Sequence, residues 1–113
     1  MMLPILLDNL RSALGNMADV NFQRQAWFAS DGPLVSSFSE DLCRLFDDTG
    51  LSDYIDRDVC PAQLSPACFE TLKELDRVTA NIDQDAGPQE ILDDPTIHKA
   101  RELAGLALSQ AST

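Results

Sequence analysis

Ser65-Pro66-Ala67-Cys68-Phe69-Glu70-Thr71-Leu72-Lys73-Glu74-Leu75-Asp76-Arg77-Val78-Thr79-Ala80-Asn81-Ile82 is the stretch that decides the fold. A serine whose hydroxyl can cap free amides, followed by a proline whose missing N–H is no loss in a first turn, is a helix start. Cys68, Leu72, Leu75, Val78 and Ile82 then recur at three- and four-residue intervals and trace one apolar stripe. The segment is therefore a helix that must bury one face. Residues 81–87, polar and ending in glycine, break it.

Towards the C-terminus, residues 88–92 have room for one helical turn, and Asp94-Pro95 repeats the cap-then-proline signal. Ile97, Ala100 or Arg101, Ala104, Ala107 and Leu108 mark a last helix ending near Ser109, with residues 110–113 expected to fray. Towards the N-terminus, a short turn of helix over residues 51–55 is expected to open at Ser52. Before it, Ser37-Phe38-Ser39-Glu40 fits a capping box, and Leu42, Leu45 and Phe46 keep helical spacing until Gly50. That predicts a helix over residues 38–48. Ser30-Asp31-Gly32-Pro33 reads as a turn.

Residues 19–28, with Asp19 as N-cap and Val20, Gln23 or Arg24, and Trp27 on one face, fit a helix. A strand competes there because Val20-Asn21-Phe22 also alternates. Residues 3–14 place Leu3, Leu6, Leu7, Leu10, Ala13 and Leu14 on a helical face, with Pro4 in the first turn and Gly15 as the stop. No hairpin signal separates alternating runs, since Asp31-Gly32 runs straight into Pro33. The expected fold is all-α: one compact domain over residues 1–113, a bundle of four to six helices.

Composition narrows the function. Nineteen acidic residues against eight basic ones give a formal net charge of −11. Such a field repels nucleic acid and anionic membranes and attracts a cationic surface. No run approaches the ~20 apolar residues needed to span a bilayer. The N-terminal Met1-Met2-Leu3-Pro4-Ile5-Leu6-Leu7 lacks the basic flank and length of a signal peptide, so a cytoplasmic location is expected. Cys43, Cys60 and Cys68, odd in number and forming no CxxC pair, fit reduced thiols better than a disulfide framework.

Catalytic and metal signatures are weak. The sole histidine, His98, offers one base and no surrounding motif, so no enzymatic activity is expected. Asp83-Gln84-Asp85-Ala86-Gly87-Pro88 with Asp94 echoes a calcium loop, but Pro88 stands where glycine is required and Asp94 where a glutamate should be. Cys43, Cys60, Cys68 and His98 have no zinc spacing. No cofactor is expected. Trp27 suits core packing or an interface anchor.

The acids themselves are clustered. Glu40, Asp41, Asp47, Asp48, Asp53, Asp56 and Asp58 face only Arg44 and Arg57 in the same run, and residues 83–94 carry five more carboxylates with no basic residue. Asp47 and Asp48 fall at the C-terminal end of a predicted helix, where the helix dipole disfavours negative charge by some tenths of a kcal/mol. Local stability does not account for that placement. Phosphate mimicry or pairing with a basic partner does, as does a solvated helix end followed by loop acids.

Three segments carry a resemblance: Phe22-Gln23-Arg24-Gln25-Ala26-Trp27, then Ser36-Ser37-Phe38-Ser39-Glu40 leading into Leu45-Phe46-Asp47-Asp48, and Asp94-Pro95 before Lys99-Ala100-Arg101. Together they resemble small immunity proteins of bacterial contact-dependent growth inhibition and related polymorphic toxin systems. The resemblance implies a cytoplasmic protein that binds a cognate toxin domain, often a nuclease acting on tRNA with a basic substrate groove, and blocks it. On that reading Asp47, Asp48, Asp53, Asp56, Asp58, Asp83 and Asp85 are the candidate partner-binding residues, facing a basic protein surface and neither nucleic acid nor membrane. The alternatives are an acidic secretion chaperone or adaptor and a small divalent-metal-binding protein using Asp83, Asp85 and Asp94.

Overall fold

Helix starts come first, because they are local and decide where the chain turns. In the computed structural model, which describes residues 2–29 and 35–112, four of the five side chains expected to open a helix cap one, Ser52 being the exception. Asp19 accepts from the amides of Asn21 and Phe22 at 2.9 and 3.2 Å, Ser37 from Glu40 at 3.1 Å, Ser65 from Cys68 at 3.1 Å and Asp94 from Thr96 at 2.9 Å. The turn expected at Ser30-Asp31-Gly32-Pro33 lies outside the described residues.

Among the described residues there are seven α-helices and no strand. They are α1 (Leu7–Ala18), α2 (Val20–Ala26), α3 (Phe38–Leu42), α4 (Leu51–Arg57), α5 (Pro66–Thr79), α6 (Pro88–Asp93) and α7 (Pro95–Ala111). Seven exceeds the four to six expected because the short stretches α4 and α6 are helices in their own right. The competing strand at Val20-Asn21-Phe22 does not form; Gln23 and Trp27 face inward there, whereas Arg24 is exposed.

Three helices build the centre. α7 packs along both α1 and α5. Its contact face is rich in small residues, with Ala100, Ala104 and Ala107 fully buried beside Ile97, so neighbouring backbones approach closely. The stripe read from the sequence supplies the other side: Cys68, Leu72 and Leu75 are fully buried and Val78 is half-buried. α1 contributes Leu10, Leu14 and Met17. The radius of gyration is 13.6 Å, the value of a folded domain of about this length.

Three departures from the expected elements matter for the surface. α1 begins at Leu7, not Leu3, and it runs through Gly15 to Ala18. Leu3 and Leu6 therefore precede the helix, 85% and 52% exposed, instead of facing the core. α7 continues past Ser109 to Ala111, because Arg11 Nε and Nη2 donate to the Ala111 carbonyl at 3.0 and 2.8 Å and hold the segment expected to fray.

The third departure follows α3. The chain widens into a π-helical turn over Cys43–Asp47, with the Asp48 amide bonding the Cys43 carbonyl at 2.9 Å. Thr49, buried, donates its hydroxyl to the Leu45 carbonyl at 2.7 Å and accepts the Leu51 amide at 3.3 Å, closing the turn. Gly50 then takes φ +83°, a left-handed conformation that glycine reaches without strain, and α4 starts directly at Leu51 rather than at a Ser52 cap.

Candidate functional site: an acidic depression beside pinned leucines

The π turn places Leu45 and Phe46 inward and turns Asp47 and Asp48 to solvent. One helical step further on, α4 presents Asp53 from the neighbouring wall. Asp47, Asp48 and Asp53 line one depression of about 430 Å³ with Met2, Leu3, Pro4, Leu6, Tyr54 and Arg57. Sequence separates these carboxylates from Leu3 by more than forty positions; folding brings them to one concavity.

Long-range hydrogen bonds hold the apolar wall. Tyr54 donates its hydroxyl to the Leu3 carbonyl at 2.6 Å, and the Leu6 amide donates to the Thr49 carbonyl at 3.0 Å. Gln63 brackets Ile5, accepting its amide at 3.2 Å and donating to its carbonyl at 2.7 Å. Ile5 is buried between the two exposed leucines. The segment is thus fixed with no secondary structure of its own, and Leu3 and Leu6 are presented to solvent from an ordered backbone.

The remaining candidates are distributed around this depression. Asp56 is exposed on α4, and its charge together with that of Asp47 adds to the effect of burial in raising the carboxyl of half-buried Asp76 above the usual aspartate range. A second groove, of about 260 Å³, runs from Asp47 past Ser52, Asp76 and Thr79 to Gln84. It links the first acidic cluster to the loop bearing Asp83 and Asp85, both exposed. Asp83 accepts the Asp85 amide at 2.9 Å, a local turn that fixes the loop. Asp58 closes α4 in the left-handed region, φ 54°, and pairs with Lys73 at 2.8 Å.

Asp47, Asp48, Asp53, Asp56, Asp83 and Asp85 form no ion pair among the described residues. Asp41, from the same acidic run, behaves oppositely. It is buried, accepting Trp27 Nε1 and Ser36 Oγ at 2.7 Å each and Arg44 Nη1 at 3.2 Å. Trp27 also packs edge-on against Phe38, with ring centroids 5.7 Å apart. The tryptophan is a core residue whose one polar atom is satisfied, and the network anchors α2 to the helix that leads into the π turn.

Other chemistry has little to stand on in this geometry. Among the described residues no three His, Cys, Asp or Glu side chains converge to hold a metal ion. Asp83 and Asp94 instead spend a carboxylate oxygen on neighbouring amides. Desolvation pushes all three thiols up; at Cys43 the charge and hydrogen bond of Asp47 add to it. Thiols shifted in that direction are poorer nucleophiles at neutral pH.

No helix among the described residues is long and apolar enough to cross a membrane. The fold and the site define a class, an all-α domain with an acidic, leucine-edged concavity. Compared with protein-family models, with curated proteins and with solved structures, the chain matches none of them.

Proposed function

We propose that this chain is a cytoplasmic immunity protein, without catalytic activity, that neutralises a toxin domain by covering its basic, nucleic-acid-binding surface with the Asp47, Asp48 and Asp53 depression. One observation carries the reading: these carboxylates have no ion pair among the described residues, and they line one depression with leucines held outward by Tyr54, Thr49 and Gln63. Exposed apolar side chains on a fixed backbone, rimmed by unneutralised charge, have the anatomy of a protein interface. The resemblance to immunity proteins of polymorphic toxin systems points the same way. Asp56, Asp83 and Asp85 extend the charge along the adjoining groove and contribute to attraction over distance more than to close contact.

The test is co-expression with the product of the adjacent upstream reading frame, tagged on that partner. A one-to-one complex that suppresses the partner's toxicity or nuclease activity is expected. Asp47→Lys with Asp48→Lys should weaken it by about 10- to 1,000-fold and slow association most at low salt, while the circular dichroism spectrum stays unchanged. Undiminished neutralisation by that variant rejects the assigned surface, and absence of both complex and rescue rejects the immunity role.

A further inference from the structure

Four of the eight Lys and Arg residues, Arg11, Arg44, Lys73 and Arg77, sit in ion pairs with carboxylates of this chain. Among the described residues Arg24, Arg57, Lys99 and Arg101 do not, even though acids outnumber bases by more than two to one; of these, Arg24 and Arg101 come together. Both line a cavity of about 520 Å³ between α2, α6 and α7, with Val20, Phe28, Gln89, Leu92, Asp93, His98 and Glu102. It shares no residue with the acidic depression.

Arg101 is held at the inner end. Its Nε donates to Gln23 Oε1 at 2.8 Å, and Gln23, fully buried, is itself fixed by donating to the carbonyls of Met17 and Asn16 at 2.8 and 3.2 Å. Arg101 Nη1 lies 3.1 Å from His98 Nδ1. A guanidinium only donates, so in this contact Nδ1 is the accepting atom. Arg101 Nη2 is buried with no acceptor among the described residues. Desolvation, then the charge of Arg24, lowers the Arg101 guanidinium from its ordinary value. Two like charges thus line one concavity, and neither is ion-paired among the described residues, an arrangement that an entering anion would relieve.

The walls specify the rest of the ligand. Phe28, 50% exposed, lines the cavity with the apolar Val20 and Leu92. Asp93 and Glu102, both exposed, also line the cavity and disfavour a dianion. We propose that this cavity is a binding site for a small monocarboxylate carried on an aromatic or branched apolar body, its carboxylate lying between Arg24 and Arg101 and its apolar part against Phe28 and Leu92. This ligand site is independent of the partner surface proposed above.

Phenylacetate is the probe, titrated into the full chain and followed by NMR at the Arg101 Nε–H, the His98 ring and the Phe28 ring. Saturable shifts at all three with Kd on the order of 1 mM are expected, the range for so small a ligand. The neutral 2-phenylethanol should bind at least about tenfold more weakly, and the exposed Arg24→Glu should weaken phenylacetate by a similar factor without altering the fold. Non-saturating shifts, equal binding of the alcohol, or an unaffected Arg24→Glu variant would each overturn the proposal. Inorganic phosphate saturating the same signals as tightly as phenylacetate would overturn the assignment of a carboxylate on an apolar body.

Discussion

Asp41→Asn changes one atom and tests whether the buried carboxylate organises the region that carries the acidic depression. In the native chain Oδ2 accepts Trp27 Nε1, and Oδ1 accepts both Ser36 Oγ and Arg44 Nη1. Asparagine has a single acceptor oxygen. If that oxygen faces Ser36 and Arg44, the amide NH2 is set against the Trp27 N–H, donor against donor. Flipping it restores Trp27 and turns the NH2 towards Arg44, which cannot accept. Either orientation loses a charge-assisted hydrogen bond worth about 1.5–3 kcal/mol, and the first also leaves the buried Trp27 N–H unmatched. Removing the desolvation of the carboxylate offsets part of this, and Glu40, 3.5 Å from Arg44, retains some of the ion pairing. The expected net loss is about 2 kcal/mol, or a fall in Tm of roughly 10 °C for a domain of this size. Glu40→Gln, touching the same arginine from an exposed position, should cost no more than about 0.5 kcal/mol. Urea unfolding followed by circular dichroism measures both. In a Trp27→Phe background, which lacks the indole N–H, Asp41→Asn should cost at least about 1 kcal/mol less than in the native chain. A loss below about 0.5 kcal/mol in the native background, or no coupling to Trp27, refutes the network.

Gly50→Ala should destabilise by about 1 kcal/mol, measured by the same unfolding experiment; a Cβ there meets no atom within 4 Å, so the cost is that of holding alanine at φ +83°. Asp76→Asn should stabilise the chain by roughly 0.5 kcal/mol at pH 7, since the carboxylate is half-buried beside like charges from Asp56 and Asp47. Because the native carboxyl is raised, the native protein is favoured when Asp76 is protonated, and that contribution fades as pH rises through the raised native value. The difference between variant and wild type should therefore shrink as pH falls from 7 towards the ordinary aspartate range, and a difference independent of pH argues against the electrostatic cause.

Helix boundaries set by local chemistry were readable from the sequence, and those set by distant partners were not. Ser37, Ser65, Asp19 and Asp94 act within three residues of themselves, so their spacing is enough. The capping box is made in one direction only: Ser37 accepts the Glu40 amide, while the Glu40 carboxylate turns to Arg44. The fate of Leu3 depends on Tyr54, Thr49 and Gln63, and the extension of α7 on Arg11, a hundred positions away. The π turn is closed by Thr49, whose sequence context carries no mark of it.

The polar anchors carry a signal in their helical phase. Asp41 follows Phe38 by three and precedes Leu45 by four, and Arg101 follows Ile97 by four and precedes Ala104 by three; both lie in phase with buried residues. A charged residue on an apolar phase is committed to partners inside the protein, as Asp41 is to Trp27 and Arg101 to Gln23. Within the acidic run from Glu40 to Asp58, Asp41 is buried and Asp47 exposed. Helical phase separates them up to the π turn, where the extra residue breaks the 3.6-residue rhythm and carries Asp47 and Asp48 out to solvent. The charge left for a partner is therefore what remains after the fold has taken its own share, and it is concentrated where the regular helix ends.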